Sequence, residues 1–278
     1  MEIFSYWFMF PVAVAIAAIA MFFGVGGAVL FSPFFAIALS LRIDIAIALG
    51  ILIEVAGFSS GFIGFAKKGM VNFHLGSRIL PLTTLFAIVG ALIGKNLPGQ
   101  VLEFGLALLL FLLAAAFLHK ESGITPSNTP LHPHDSPEAI RRLRYDYWRD
   151  FRQNPWLFIS SSFGGLMVGL VSAGLGELNG YNFVKKLGMG PALAAGTSVF
   201  VIAVTALTAS IFNISYFSTA SSSDIDTIVR IALFAIPGVI IGAQAGIILA
   251  RKIEREKVSF ILPWFLAILG VLTVMKIF

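Results

Sequence analysis

Two glutamates lie inside apolar runs of the sequence, where an ionisable side chain is costly. Glu54 falls near the middle of an apolar run from Ile45 to about Ala66, and Glu177 ends a glycine-rich stretch in the second half of the chain. A carboxyl at membrane depth is expected to be neutral or paired, and it is a functional candidate by default. We predict that one of the two takes up a proton during function. A neutral acid that donates a structural hydrogen bond is the alternative.

Two glycine-rich stretches, Gly24–Gly27 and Gly174–Glu177, interrupt apolar runs at matching places in the two halves. Glycine is unfavourable inside a helix, and non-helical backbone at membrane depth survives only where protein buries it or where it lines a cavity. A helix that begins there presents unpaired N–H groups and the positive end of its dipole, which suit an anion. Tight helix crossing at small residues is the alternative. The predicted binding positions are Gly26, Gly27, Ala28, Gly176 and Glu177.

Neutral polar side chains follow both breaks at short distances along the sequence. Hydroxyl and amide groups of this kind can donate hydrogen bonds to the oxygens of an anion. We therefore add them to the predicted substrate site, with ordinary hydrogen bonding between helices as the alternative for each. The residues are Ser32, Asn179, Asn182, Thr197 and Ser198.

The composition excludes several classes of protein. The chain is 58% hydrophobic and 12% charged, about half the charged share of soluble domains. It has no cysteine, which excludes disulfides, thiolate metal sites and cysteine nucleophiles. His132 and His134 lie in a proline-rich loop without a second pair of ligands, and no nucleotide-binding or hydrolase motif occurs. We therefore predict no metal and no cofactor. We also predict no nucleic-acid partner, because loops facing anionic lipid explain the net charge of +5.

Hydropathy divides the chain into two membrane repeats, 1–118 and 155–278, joined by a polar linker at 119–154. In the linker, Ser136, Pro137 and Glu138 form a helix start, and a basic amphipathic helix on the membrane surface is expected to follow. A regulatory partner-binding role is the alternative for that helix. Each repeat is predicted to hold a broken or re-entrant helix pair followed by three transmembrane helices, in an all-α integral membrane protein.

The order of the elements and one nine-residue match relate the repeats. Phe86–Gly94 and Phe234–Gly242 are identical at six of nine positions. If each broken run enters and leaves on one side, all but four of the 19 lysines and arginines lie on the side of the linker. Basic residues concentrate in cytoplasmic loops, so this arrangement is favoured and makes the repeats inverted. The four on the outer side are Arg42, Lys95, Arg230 and Lys276.

Half-helix length supports the same arrangement. Glu177–Leu187 spans about 16 Å as a helix, too short for a hydrocarbon core of about 30 Å. The second broken run therefore has to dip into the membrane and return. The longer Gly27–Leu41 is left open between a full span and a half-helix. Glu103, near the outer end of its span, is expected to be structural and near Lys95.

The breaks, the Ala194–Ser198 entry and the glycine-rich spans together resemble the TauE/SafE sulfite exporter family, also called the toluenesulfonate uptake permeases. The resemblance covers nearly the whole chain. It implies transport of sulfite, sulfonates or related sulfur-containing anions, coupled to protons. The chain departs from the family pattern at Gly50-Ile51-Leu52, where the second repeat has Gly196-Thr197-Ser198, and at Glu177-Leu178-Asn179.

We therefore expect a secondary transporter and not an enzyme. It is expected to bind a sulfur-containing anion between the two breaks and to transport it by alternating access. Its partners are then the small anion, the lipid bilayer and protons as the coupling ion. It is expected to be a multi-pass protein of the plasma (cell inner) membrane, with the linker cytoplasmic. An anion channel and a membrane-embedded enzyme are the alternatives. The exact substrate, the direction of transport and the oligomeric state are left open.

Overall fold

The computed structural model describes residues 2–23, 26–118, 155–187, 189–217, 222–252 and 261–277. Within these ranges the chain is all-helical, with no strand. Gly24, Val25 and the predicted amphipathic helix of the linker lie outside the described residues. The α-helices are α1 (Met9–Phe23), α2 (Ala28–Ala38), α3 (Ile43–Lys67), α4 (Phe73–Asn96), α5 (Gly99–Leu118), α6 (Pro155–Val171), α7 (Leu175–Lys185), α8 (Pro191–Phe217), α9 (Ser222–Lys252) and α10 (Ile261–Ile277).

Five of the described helical segments are long and apolar enough to cross a membrane, which confirms the all-α membrane class. They are Phe4–Phe22, Ile43–Lys67, Phe73–Asn96, Leu193–Asn213 and Ile225–Leu249. The helices after the two breaks are much shorter, since α2 and α7 each contain 11 residues. At the usual rise this is about 16 Å. Gly27–Leu41 is therefore a half-helix followed by a short connection.

The second break has the backbone geometry that its glycine predicts. Gly174 precedes α7 with a φ of 104°, and Ser172 has a φ of 64°. The chain then reverses, because Ser161 Oγ donates to Asn179 Oδ1 at 2.7 Å and Asn182 Nδ2 donates to Ser160 Oγ at 2.7 Å. These pairs lie in antiparallel register, so α7 returns along α6 as a hairpin.

One end of the helix bundle holds the beginnings of α3 and α5 together with the ends of α4 and α10. We call it the first end; it surrounds a pocket of ≈ 700 Å³. Three of the four basic residues expected on the outer side, Arg42, Lys95 and Lys276, line this pocket. Glu103 lies 3.8 Å from Lys276 Nζ, so Lys276, on α10, is its cationic neighbour. Helix α5 ends at Leu118, at the opposite, second end.

Glycines set the two closest helix crossings of the bundle. On α9, the Cα atoms of Gly238, Gly242 and Gly246 face the carbonyl groups of Phe10, Val14 and Ala18 in turn, so α1 and α9 run parallel. On α6, Gly165 and Gly169 face the carbonyl groups of Thr83 and Ala87, so α6 runs parallel to α4. A β-carbon at any of these glycines would overlap the neighbouring backbone, which explains the residue type.

These crossings set the directions of helices from the two halves of the chain. Helix α4 runs toward the first end, and α6 runs with it. Helix α9 runs in the opposite direction, as two of its contacts with α3 show. Val239 of α9 contacts Gly57 of α3, and further along α9 Gln244 Nε2 donates to the carbonyl oxygen of Ser60, which lies nearer the second end. Helix α1 runs with α9. The first helices of the two repeats, α1 and α6, are thus antiparallel to each other.

Helix α4 begins earlier than hydropathy indicates. The sequence places the third span from about Ile79, with His74 and Arg78 in a polar link, whereas the helix starts at Phe73. Asn72 caps it, because its side chain accepts a hydrogen bond from Leu75 N at 3.0 Å. An asparagine cap lets a helix begin on polar residues ahead of its apolar stretch.

Candidate functional site

The two breaks meet in the middle of the bundle. Gly26 N, at the first break, donates to Glu177 Oε1, at the second break, across 3.0 Å and 151 positions of sequence. Glu177 lies in the first turn of α7. The acid therefore joins the beginning of α7 to the first break. The sequence predicted both groups for one site, and the structure places them in contact.

Glu54 occupies the beginning of the other half-helix. Its side chain is 4% exposed, and its carboxyl faces the backbone of Gly27 and Ala28 at the beginning of α2. A β-carbon on Gly26 would lie 3.0 Å from Glu54 Oε1 and 3.8 Å from Glu177 Oε1. The two carboxyls therefore converge on one glycine. The sequence predicts that the N-termini of α2 and α7 bind an external anion. In this structure a carboxyl of the chain itself lies at each of these N-termini.

Each of these carboxyls keeps one oxygen without a hydrogen-bond partner among the described residues. The atoms are Glu54 Oε1 and Glu177 Oε2, both buried. A cavity of ≈ 10 Å³ adjoins Glu54 and Gly27, with Ala17, Phe31 and Val239 among its lining residues. This volume is about that needed for one water molecule. This cavity is therefore too small for an anion as large as sulfite.

Asn179 and Asn182 are buried in the contact between α6 and α7. Through Ser161 and Ser160 they hold the hairpin together, and Asn182 Nδ2 also donates to the carbonyl oxygen of Leu178 at 2.8 Å. Their donors and acceptors are used mainly within the second repeat, which agrees with the structural alternative. Asn179 Nδ2 is buried without a partner in the described part of the chain. Their predicted substrate contacts remain predictions.

Thr197 and Ser198 have different surroundings, although they are neighbours in sequence. Thr197 Oγ1 accepts from Asn72 N at 2.9 Å and donates to the carbonyl oxygen of Leu193 at 2.7 Å, so it ties α8 to the beginning of α4. Ser198 Oγ donates to the carbonyl oxygen of Gly176 at 3.3 Å, at the second break. Of the two, Ser198 lies at the site, and Thr197 lies toward the second end.

Ser32 lies one turn into α2, against α3. Its side chain is fully buried, and a β-carbon at Gly50 would lie 2.5 Å from Ser32 Oγ. Gly50 therefore admits the serine. Ser32 Oγ has no partner among the described residues. The sequence indicated Ser32 but gave no signal for its neighbour, because only tertiary packing brings Gly50 against it.

The site contains two acids and backbone amides and offers little to a metal ion. No group of three metal-binding side chains occurs among the described residues. The arrangement can instead do two things chemically. Half-helix N-termini can hold an oxyanion, and two adjacent carboxyls can take up and release a proton.

A many-helix membrane bundle with two half-helices meeting at its centre defines the class of multi-pass membrane proteins with discontinuous helices. A family model described as sulfite exporter TauE/SafE matches residues 9–276. The chain therefore belongs to the TauE/SafE sulfite exporter family, a family of membrane transporters. No curated protein and no solved structure gives a significant match to the chain.

Proposed function

We propose that this protein is a secondary transporter of a sulfur-containing anion, sulfite or an organosulfonate, by alternating access. The observation that carries the proposal is the contact of the two half-helix N-termini through Gly26 and Glu177. Discontinuous helices at a repeat interface are where transporters of this kind bind substrate. The family membership supports the substrate class. The proposed binding groups are the amides of Gly27, Ala28, Gly176 and Glu177, together with Ser198, because Gly26 N is bound to Glu177.

The opposite directions of α1 and α6 support the predicted inverted repeats. In such proteins the halves rock about a nearly fixed site, opening it to one side at a time. The small size of the cavity at Glu54, ≈ 10 Å³, fits an occluded conformation of that cycle. The outward half of the cycle is then expected to open toward the ≈ 700 Å³ pocket of the first end.

We further propose coupling to protons through Glu54 or Glu177. Both are acids in apolar surroundings, and together with Gly26 they form one cluster. Carboxyls inside a membrane protein are a recurrent means of carrying protons. Placement in the plasma membrane with the linker in the cytoplasm follows from the distribution of lysine and arginine, and it is part of the proposal.

The test is uptake of radiolabelled sulfite and methanesulfonate into liposomes that contain the purified protein. A pH gradient is expected to drive accumulation above the external concentration, with saturable kinetics. Protein-free liposomes are the control. Equilibration without accumulation under every pH gradient tested would favour the anion channel. Identical pH profiles of uptake for Glu54→Gln, Glu177→Gln and wild type would remove the coupling role from both acids.

A further inference from the structure

We propose that the Glu54 carboxylate is a tethered competitor that occupies the substrate oxyanion's place at the beginning of α2. The inference rests on the proposed function and names the step that links proton to anion. Glu54 reaches from α3 to the amides of Gly27 and Ala28, the groups that an anion would use. Two negative groups cannot share one set of donors, so the anion binds only after the carboxylate has left.

Glu54 is suited to leave, whereas Glu177 is not. Glu177 belongs to the first turn of α7, and its carboxyl accepts a hydrogen bond from Gly26 N at 3.0 Å. Glu54 comes from a different helix, has one buried oxygen without a described partner, and borders the ≈ 10 Å³ cavity. A rotation of its side chain toward that cavity frees both amides without unwinding a helix.

The proton supplies the reason for the exchange. A carboxylate accepts amide hydrogen bonds about twice as strongly as a neutral acid does. When Glu54 takes a proton from water on the open side, its hold on Gly27 and Ala28 weakens and an anion replaces it. When the anion leaves, Glu54 returns the proton to water and binds the amides again. One proton therefore accompanies each anion.

Few other charged groups face Glu54. Glu177 is the ionisable neighbour whose charge acts on it. Helices α1 and α2 contain no ionisable residue, α8 contains only Tyr216 near its far end, and α9 carries its charged residues near its two ends. The cavity beside Glu54 is otherwise lined by apolar residues and glycines of α1, α2, α3 and α9. The pH dependence of anion binding is thus expected to arise from this pair of acids.

The test measures methanesulfonate binding to the purified protein by calorimetry at about pH 5 and about pH 8. The charge of a sulfonate is constant over this range, so any change in the dissociation constant with pH arises from ionisable groups of the protein. One linked proton makes the dissociation constant rise by up to about tenfold per pH unit. We expect such a rise in wild type. In Glu54→Gln, whose amide cannot become an anion, binding at about pH 8 should be at least about tenfold tighter than wild type.

Glu103→Gln is the matched control, because Glu103 is also a buried acid on a membrane helix but lies at the first end. It should keep the wild-type pH dependence. In weakly buffered solution, wild type should take up about one proton per anion bound, and Glu103→Gln should keep that uptake. This second measurement keeps the inference open to test even if Glu54→Gln does not fold.

The outcomes separate the two proposals. Binding to Glu54→Gln that is weaker than wild type, or that keeps the wild-type pH dependence, overturns the competition. Anion binding to wild type without proton uptake overturns it as well, and both results leave a sulfonate transporter in place. Failure of wild type to bind either methanesulfonate or sulfite at both pH values overturns the proposed function itself.

Discussion

The hydrogen bond between Gly26 and Glu177 is the most direct contact between the two repeats at the site. Replacing Glu177 by alanine removes the acceptor and leaves a buried amide without a partner. Such a loss costs about 1–3 kcal/mol, which is expected to lower the midpoint of thermal unfolding in detergent by about 2–9 °C. The measurement is a thermal melt of the purified protein.

Glu177→Gln is the matched variant for this prediction. The amide oxygen of glutamine can still accept from Gly26 N, so its unfolding midpoint should stay close to that of wild type. A melt in which both variants lose the same stability would show that the carboxylate charge matters, rather than the hydrogen bond. Equal stability of Glu177→Ala and wild type would show that the contact does not hold the repeats together.

Gly196 shows how backbone contact fixes a residue type. A β-carbon there would overlap the carbonyl oxygen of Met70, at the connection between α3 and α4. We expect Gly196→Ala to destabilise the fold by about 1–3 kcal/mol, the usual cost of overpacking. Gly64→Ala is the control, because its β-carbon would lie 3.8 Å from Gln244 in ordinary contact. Comparable unfolding temperatures for the two variants would contradict the packing described for α8.

At the scale of elements, the half-helix α2 is held at both of its ends. Glu54 lies against its beginning at Gly27, and Lys276 Nζ donates to the carbonyl oxygens of Ala36 at 2.8 Å and Leu41 at 3.0 Å near its end. These carbonyls lie where helical hydrogen bonding stops, so a lysine there satisfies groups that the helix itself cannot. The last residue but one of α10 thus fastens the end of α2.

Lys276→Met keeps the length of the side chain and removes the donor. We expect faster backbone hydrogen exchange in the segment from Ala36 to Leu41, by about tenfold or more, since two hydrogen bonds of about 1 kcal/mol each are lost. Exchange followed by mass spectrometry measures this segment directly. Lys95→Met, which changes another lysine of the same pocket, should leave the segment unchanged. Equal exchange in both variants would mean that Lys276 does not fasten α2.

Gly27 tests the beginning of the same half-helix. Its backbone is already helical, and a β-carbon would lie 3.7 Å from the ring of Phe31, so alanine fits without strain. The added methyl group would nevertheless stand beside the amides proposed to hold the anion. We expect Gly27→Ala to fold normally and to transport at least about tenfold more slowly, because small displacements of a bound group are costly. Gly27→Leu and Gly176→Leu should abolish transport while the protein still inserts.

Gly105→Ala is the control for this prediction, since a β-carbon there also meets one side chain at 3.7 Å, that of Val171, and Gly105 is not part of either break. It should transport at the wild-type rate in the same liposome assay. Wild-type transport by Gly27→Ala and by both leucine variants would remove the breaks from the substrate site.

The elements were predictable where hydropathy alone decides them. Apolar runs and the two glycine breaks gave the helices, because lipid leaves the backbone no other way to satisfy its hydrogen bonds. The packing partners of the matched glycines were harder to predict. The nine-residue match aligns Gly90 with Gly238. In the structure, Gly90 faces the backbone of α6 at Leu166, near the end of that helix, whereas Gly238 faces α1 at Phe10, near its beginning, and Gly246 faces α1 at Ala18, near its end. Apolar segments match at several offsets, and only packing selects among them.

The site was predictable to the level of its acids. Glu54 and Glu177 stood out because charge is costly in apolar surroundings, and the structure brings both to Gly26. What the sequence could not show is that these acids occupy the half-helix N-termini themselves. The roles of Asn179, Asn182 and Thr197 were also out of reach, because their nearest hydrogen-bond partners depend on how α4, α6, α7 and α8 pack.

At the scale of the whole molecule, the first end carries Arg42, Lys95 and Lys276, and the second end carries Lys67 and Lys68 at the end of α3. The proposed orientation places the first end outside the cell. The absence of cysteine from the sequence makes this easy to test, because any introduced cysteine is unique. Lys95→Cys and Lys68→Cys mark the two ends at exposed positions.

A membrane-impermeant maleimide added to intact cells is expected to label Lys95→Cys and to spare Lys68→Cys. After the membrane is permeabilised, both should react, because both side chains are exposed and differ only in the side that they face. The positive-inside distribution requires this result, since it assigns the lysines at the end of α3 to the cytoplasm. The opposite labelling pattern would invert the protein in the membrane. The pocket of ≈ 700 Å³ would then open to the cytoplasm, and Glu54 would draw its proton from that side when the first end opens.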